Sequence, residues 1–115
     1  MYDKNNIFAK ILRSEIPCKK VYEDDNFLFF YDVNPSAEVH VLGIPKIECV
    51  DFLDFVEKSN SESVSAFFKK SIEIIKMLGI DKTGYKIISN SGKDGGQEVP
   101  HFHIHILGGK KIIIR

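Results

Sequence analysis

Between Pro100 and Leu107 the chain reads Pro-His-Phe-His-Ile-His-Ile-Leu, so three of its four histidines stand at every second position. In a strand, successive side chains point to opposite faces. His101, His103 and His105 then share one face, and Phe102, Ile104 and Ile106 the other. A helix would scatter the imidazoles over more than half of its circumference, which suits neither a core nor a site. The rest of the fold must therefore cover one apolar strand face while leaving a row of imidazoles on the other.

The remaining pattern supplies partners for that strand. Ile7, Phe8, Ile11 and Leu12 recur at helical spacing after Asn6, a fair N-cap, and Ile16-Pro17 ends the segment. Lys19 to Glu23 reads as a first strand. Phe27 to Tyr31 is apolar on both faces and reads as a central, covered strand. Val39 to Pro45 is a third strand, in which Gly43 marks a bulge or a close approach. Asp51 to Val56 reads as a short helical turn. Ser59 and Glu62 fit a capping box for a long helix, whose core face is Val64, Phe67, Phe68, Ser71, Ile72, Ile75 and Leu78, with Gly79 beyond its end. Gly84 to Ser89 is a fourth strand, and a polar glycine-rich loop, Asn90 to Glu98, leads into the histidine strand. Five strands with one long and one short helix predict an α+β domain over residues 1–115 with a mostly antiparallel sheet. The apolar Ile112-Ile113-Ile114 calls for a cover, for which a second subunit is one candidate.

Sixteen basic and sixteen acidic side chains cancel in these 115 residues. Zero net charge argues against a nucleic-acid binder that relies on a basic face, while leaving room for a small anionic ligand. Cys18 and Cys49 lack metal-type spacing and read as two free thiols in a reducing compartment. The first residues carry no apolar signal region, and no apolar run is long enough to span a membrane. The expectation is a soluble cytoplasmic protein.

A lone histidine such as His40 is ordinarily a hydrogen-bonded or exposed residue. Three alternating imidazoles are harder to explain by packing, because each costs burial energy unless it finds a partner. A zinc site is one alternative. Histidines two apart on a strand are about 6.6 Å apart, which puts His101 and His105 about 13 Å apart, near the limit for sharing an ion. A His-x-His pair joined by His40 remains possible, but the strand offers no acidic residue or cysteine. Nucleophilic catalysis fits better. A neutral imidazole attacks phosphorus well and leaves well, provided that an acceptor fixes its tautomer. His103, flanked by an imidazole on each side, is the natural nucleophile. Gly92, Gly95 and Gly96 let backbone N–H groups converge on an anion, and Asn90 and Gln97 add side-chain donors.

The run from Gly95 to Gly109, Gly-Gly-Gln-Glu-Val-Pro-His-Phe-His-Ile-His-Ile-Leu-Gly-Gly, resembles the histidine triad (HIT) motif. Further similarity extends over Ile7 to Pro17, Glu23 to Asp25, Phe30 to Pro35 and His40 to Lys46. Leu107-Gly108-Gly109 is similar to the Hint branch, the nucleoside phosphoramidases. The branch that cleaves dinucleoside polyphosphates typically has Leu-Pro-Arg there.

The resemblance implies a HIT-like fold whose sheet extends across a homodimer, and a purine nucleotide (AMP-like) ligand. It implies His103 as the residue that becomes nucleotidylated, with His105 and His101 flanking it and His40 in support. It further implies Asn90 and the backbone of Gly96 and Glu98 at the phosphate, Gln97 and Val99 beside them, and Asp32 at the ribose hydroxyls. Ile7, Phe8, Ile11, Ile16, Phe30, Val33 and Leu42 would frame a purine slot. No metal and no cofactor is implied.

Three departures stand out. Many Hint proteins have a serine where this chain has Glu98. Glu48 stands where the family often has another histidine. The chain ends at Arg115, where relatives carry a longer tail toward the partner's site. The expected activity is a purine nucleoside phosphoramidase working through a nucleotidyl-histidine. The alternatives are a dinucleoside polyphosphate hydrolase of the same type, and a nucleotide-binding regulatory protein with incidental hydrolysis.

Overall fold

The computed structural model describes residues 1–110, so the apolar run Ile112 to Ile114 lies outside the described residues. Helix α1 (Ile7–Leu12) leads into strands β1 (Lys20–Glu23), β2 (Phe27–Tyr31) and β3 (Val39–Pro45). Helices α2 (Phe52–Lys58) and α3 (Ser61–Met77) follow, then β4 (Tyr85–Ile88) and β5 (Ile104–Gly108). The sheet order is β1-β2-β3-β5-β4, and all four pairings are antiparallel. The expected α+β class and five strands are present.

Three helices stand where one long and one short were expected. The Asp51 carboxylate accepts from the Asp54 N–H, which turns the expected helical turn into a capped helix. The long helix is capped one residue later than the sequence suggests. Asn60, not Ser59, accepts from the Ser63 N–H, because Ser59 is taken up as the C-cap of α2. Its buried face carries Phe67, Ser71, Ile74 and Ile75, whereas Ile72 is 40% exposed. The 100° step of an α-helix places 67, 71, 74 and 75 on one stripe and moves 72 to its edge.

The sheet separates two apolar clusters. On the α2 and α3 side, Phe27, Phe29 and Val41 join Phe102, Ile104 and Ile106, with Phe55 and Phe67 against them. The rings of Phe55 and Phe102 stack at 4.9 Å, and those of Phe29 and Phe67 at 5.9 Å. Full burial of each such side chain contributes roughly 1.5–3 kcal/mol. On the α1 side, Phe8 packs with Leu28, Phe30, Leu42 and Ile44. Gly43 pairs with Phe29 in unbroken register, so it marks a close approach and not a bulge. A Cβ there would sit 2.5 Å from Phe29 Cε2. Both cysteines are free. Among the described residues no helix is long and apolar enough to cross a membrane.

Candidate functional site

The alternating faces hold as the sequence implies. Phe102, Ile104 and Ile106 enter the helix-side core, which leaves the imidazoles on the α1 side. Regular strand begins only at Ile104, however, so His101 and His103 lie in the extended segment before it. That segment is anchored by the stretch ahead of α2. The Phe102 N–H donates to the Cys49 carbonyl at 2.9 Å, and Gln97 Nε2 donates to the Val50 carbonyl at 2.6 Å. On the other side Ser89 Oγ donates to the His103 carbonyl at 3.0 Å.

β3 brings His40 to the triad. Leu42 pairs with His105 and His40 with Leu107, so the two histidines are diagonal neighbours on one sheet face. Their rings come within reach, with His40 Nε2 2.9 Å from His105 Nδ1.

The partners of each ring nitrogen assign the tautomers. His40 Nδ1 faces the Ser36 backbone N–H at 3.0 Å, so it accepts, and the proton of a neutral ring sits on Nε2. That Nε2–H donates to His105 Nδ1, which leaves His105 with its own N–H on Nε2. His103 Nδ1 lies 2.7 Å from the His101 carbonyl and donates to it, so the Nε2 of His103 carries a bare lone pair. His101 Nε2 donates to the Pro45 carbonyl at 2.8 Å, and its Nδ1 accepts from the Tyr2 hydroxyl at 2.6 Å. Each imidazole thus has the polar partner that its burial demands.

Burial keeps the cluster uncharged. His101, His103 and His40 are all at most 5% exposed, and desolvation holds each below the ordinary imidazole value. For His40 and His103 the Asp32 carboxylate pulls weakly the other way. His105 is pushed down to about 4, first by burial and then by His103 and His40. A proton on its Nδ1 would also face the Nε2–H of His40 head-on.

The other expected site residues divide into those brought together and those set apart. Asp32 lies beside the cluster, with Oδ2 3.4 Å from His40 Nε2, while Oδ1 accepts from the Asn34 N–H as a turn former would. Phe8, Phe30 and Leu42 form one apolar group with Ile11 and Val99 at its margin, and the Phe8 ring meets the His103 ring edge-on at 4.9 Å. Ile7 and Val33 are exposed, Val33 at 87%, and Ile16 is half-buried. In the loop, Asn90 Nδ2 donates to the Gly95 carbonyl at 2.8 Å, and the Gly96 N–H donates to Lys93. Gln97 is used at both ends of its amide. Oε1 accepts from the Gly92 N–H, and Nε2 donates to Val50 and Val99. It shapes the loop, whereas the sequence suggested a donor toward an anion. Glu98 is exposed at the loop's end.

Asp32, His40 and His105 offer ligand atoms within 4.8 Å of one another. The hydrogen bonds do not suit an ion there. A neutral imidazole ligating through Nε2 keeps its proton on Nδ1, and at His40 that proton would point at the Ser36 N–H.

Sequence reasoning missed the residues that hold the triad from outside, namely Tyr2, Ser36, Pro45, Cys49, Val50 and Ser89. Four of the six act through backbone groups, which leave no signature in side-chain identity.

Comparison with known proteins places this geometry. The HIT domain family matches residues 13–112. A HIT-like protein of Rickettsia prowazekii is 45% identical over 98% of this chain and 94% of its own length. The purine nucleoside phosphoramidase of Escherichia coli K12 is 37% identical over 95% of this chain and 91% of its own. The structure of a histidine triad protein from Clostridium difficile superposes with a TM-score of 0.88 at 44% identity, covering 100% of this chain and 99% of that one.

Proposed function

The chain belongs to the HIT domain family, and from that premise we propose that it is a purine nucleoside phosphoramidase working through a nucleotidyl-histidine intermediate. The observation that carries this reading is the bond from His103 Nδ1 to the His101 carbonyl. It leaves a neutral, buried imidazole with a bare Nε2, the state needed to attack phosphorus.

In this reading His103 Nε2 attacks the phosphorus of a nucleoside 5′-phosphoramidate in line. A P–N bond to the imidazole forms as the bond to the amine breaks. The Nε2–H of His105 stabilises the equatorial oxygens, and the amine nitrogen takes a proton from solvent as it leaves. Water then displaces the imidazole and releases the nucleoside 5′-monophosphate. Catalysis is chiefly positioning and electrostatics, with no metal in the scheme. The Phe8, Phe30 and Leu42 group, with Ile7, Ile11, Ile16 and Val33, would border the purine, and Asp32 would take the ribose hydroxyls. Asn90, Gly96, Gln97, Glu98 and Val99 would form the phosphate loop.

The working form is a cytoplasmic homodimer of single-domain subunits. β4 is an edge strand whose Tyr85 and Ile87 are 39% and 42% exposed, and a second copy of the chain would cover them. Sedimentation of Ile87→Arg checks this: the dimer is expected to become a monomer.

The test is AMP release from adenosine 5′-phosphoramidate, with and without chelator, by the parent protein and by His103→Ala. Chelator-resistant release that His103→Ala abolishes, with AMP binding kept, supports the reading. Loss of activity on chelation favours a metal enzyme. AMP binding without release favours the dinucleoside polyphosphate hydrolase or the binding protein.

A further inference from the structure

The residues before α1 form a strap that reaches the triad. Asn6, 5% exposed, ties it at its root: Oδ1 accepts from the Ala9 N–H, and Nδ2 donates to the Asp3 carbonyl at 2.7 Å. Arg13 Nη1 donates to the Lys4 carbonyl at 2.8 Å, and the Lys4 ammonium lies 3.9 Å from Glu48. Held in this way, Tyr2 delivers its hydroxyl to His101 Nδ1 at 2.6 Å, with the two rings edge-on at 5.6 Å.

His101 is 0% exposed. Its Nε2 faces only a carbonyl, Pro45, so that nitrogen must donate, and a neutral ring must then accept at Nδ1. Tyr2 supplies the donor. The ring is thereby clamped at both ends, and the same residue's carbonyl takes the Nδ1–H of His103.

We propose that Tyr2 is a positioning residue for the nucleophile: it clamps the His101 ring, and through that residue's backbone fixes the tautomer and aim of His103. The proposal rests on His103 being the nucleophile. Without the hydroxyl, His101 Nδ1 is left buried and unpaired. The ring then has reason to turn or admit water, and the His101 carbonyl loses its fixed place. Tyr2 does not touch the reacting atoms, so substrate affinity is not where its loss is felt.

The experiment uses the full chain with nothing appended ahead of Tyr2 beyond Met1. Imidazole nitrogen NMR of the parent protein reads the tautomer of His101 without any substrate. A bare, hydrogen-bonded Nδ1 is expected, and a protonated Nδ1 at neutral pH overturns the proposal. Tyr2→Phe keeps the ring and removes the hydroxyl. Measured well below its melting temperature, it should lose about five- to tenfold in kcat on adenosine 5′-phosphoramidate, the scale of one hydrogen bond. KM and AMP affinity should stay within about twofold, and the His101 nitrogen signals should move. An unchanged kcat in the folded variant overturns the proposal, as does a loss confined to KM or to melting temperature. If the parent protein does not hydrolyse the phosphoramidate, the phosphoramidase reading fails, while the NMR result still decides the Tyr2–His101 pair.

Discussion

His40 Nε2 stands 2.9 Å from His105 Nδ1, although 65 positions separate the two residues along the chain. The contact passes the orientation of one imidazole to the other. The Ser36 N–H sets the tautomer of His40, and His40 sets that of His105. His40→Ala is therefore expected to lower turnover roughly tenfold or more while sparing AMP binding. It should also raise the pKa of His105, because His40 is one of the groups that hold it down. Steady-state kinetics with NMR titration of His105 checks both, and an unmoved His105 titration would contradict the relay.

Protonation of the buried imidazoles gives a pH dependence of definite sign. His40, His101, His103 and His105 all have folded-state pKa values below the unfolded value near 6.5, His105 at about 4. As pH falls below about 6.5, the unfolded chain takes up protons that the folded chain refuses, so stability falls. For His105 the contribution is fully present above about pH 6.5 and is lost as pH falls toward about 4, and the other three histidines act in the same direction. Melting temperature should be flat from neutral pH upward as far as these groups decide it, and should drop steeply toward pH 4. The acid limb of kcat/KM should likewise lie below 6.5, since in the proposed mechanism His103 attacks as the neutral ring.

Gln97 makes three hydrogen bonds, one to Val50 in the chain before α2 and two, to Gly92 and Val99, that hold its own glycine-rich loop together. Gln97→Glu would set a carboxylate oxygen against the Val50 and Val99 carbonyls, whereas Gln97→Ala only removes the tie. Calorimetric titration with AMP should show weaker binding in both variants and the larger loss in the glutamate variant. The reverse order would mean that the side chain contacts the ligand directly.

Gly43 tests the sheet itself. An added methyl would meet Phe29 Cε2 at 2.5 Å and Ile104 Cγ1 at 3.2 Å. Phe29 is 0% exposed and stacked on Phe67, so it has nowhere to go. Gly43→Ala is expected to cost about 1–3 kcal/mol in urea unfolding. Because β3 also carries His40, activity should fall with it.

Much of this molecule follows from patterns a few residues long. Alternation in residues 101–107 determined which side chains enter the helix-side core and which face the site, since strand geometry leaves no other arrangement. Helical spacing and Asn6 marked α1, and the apolar run of Phe27 to Phe30 marked a buried strand. Where two capping readings lay one residue apart, at Ser59 and Asn60, local pattern could not choose. The choice depended on where α2 ended.

What only the tertiary structure decided is how separate stretches meet. The register of β3 on β5 set His40 diagonally across from His105, where the same sequence pattern would permit any even shift. The loop path turned the Gln97 amide inward onto Val50. The strap brought Tyr2 to His101 across 99 positions. Side-chain identity specifies periodicity and caps because those act within one or two turns of chain. The hydrogen bonds that set the four imidazole tautomers run mostly to backbone groups and to distant residues, whose positions exist only once the sheet has closed on both of its cores.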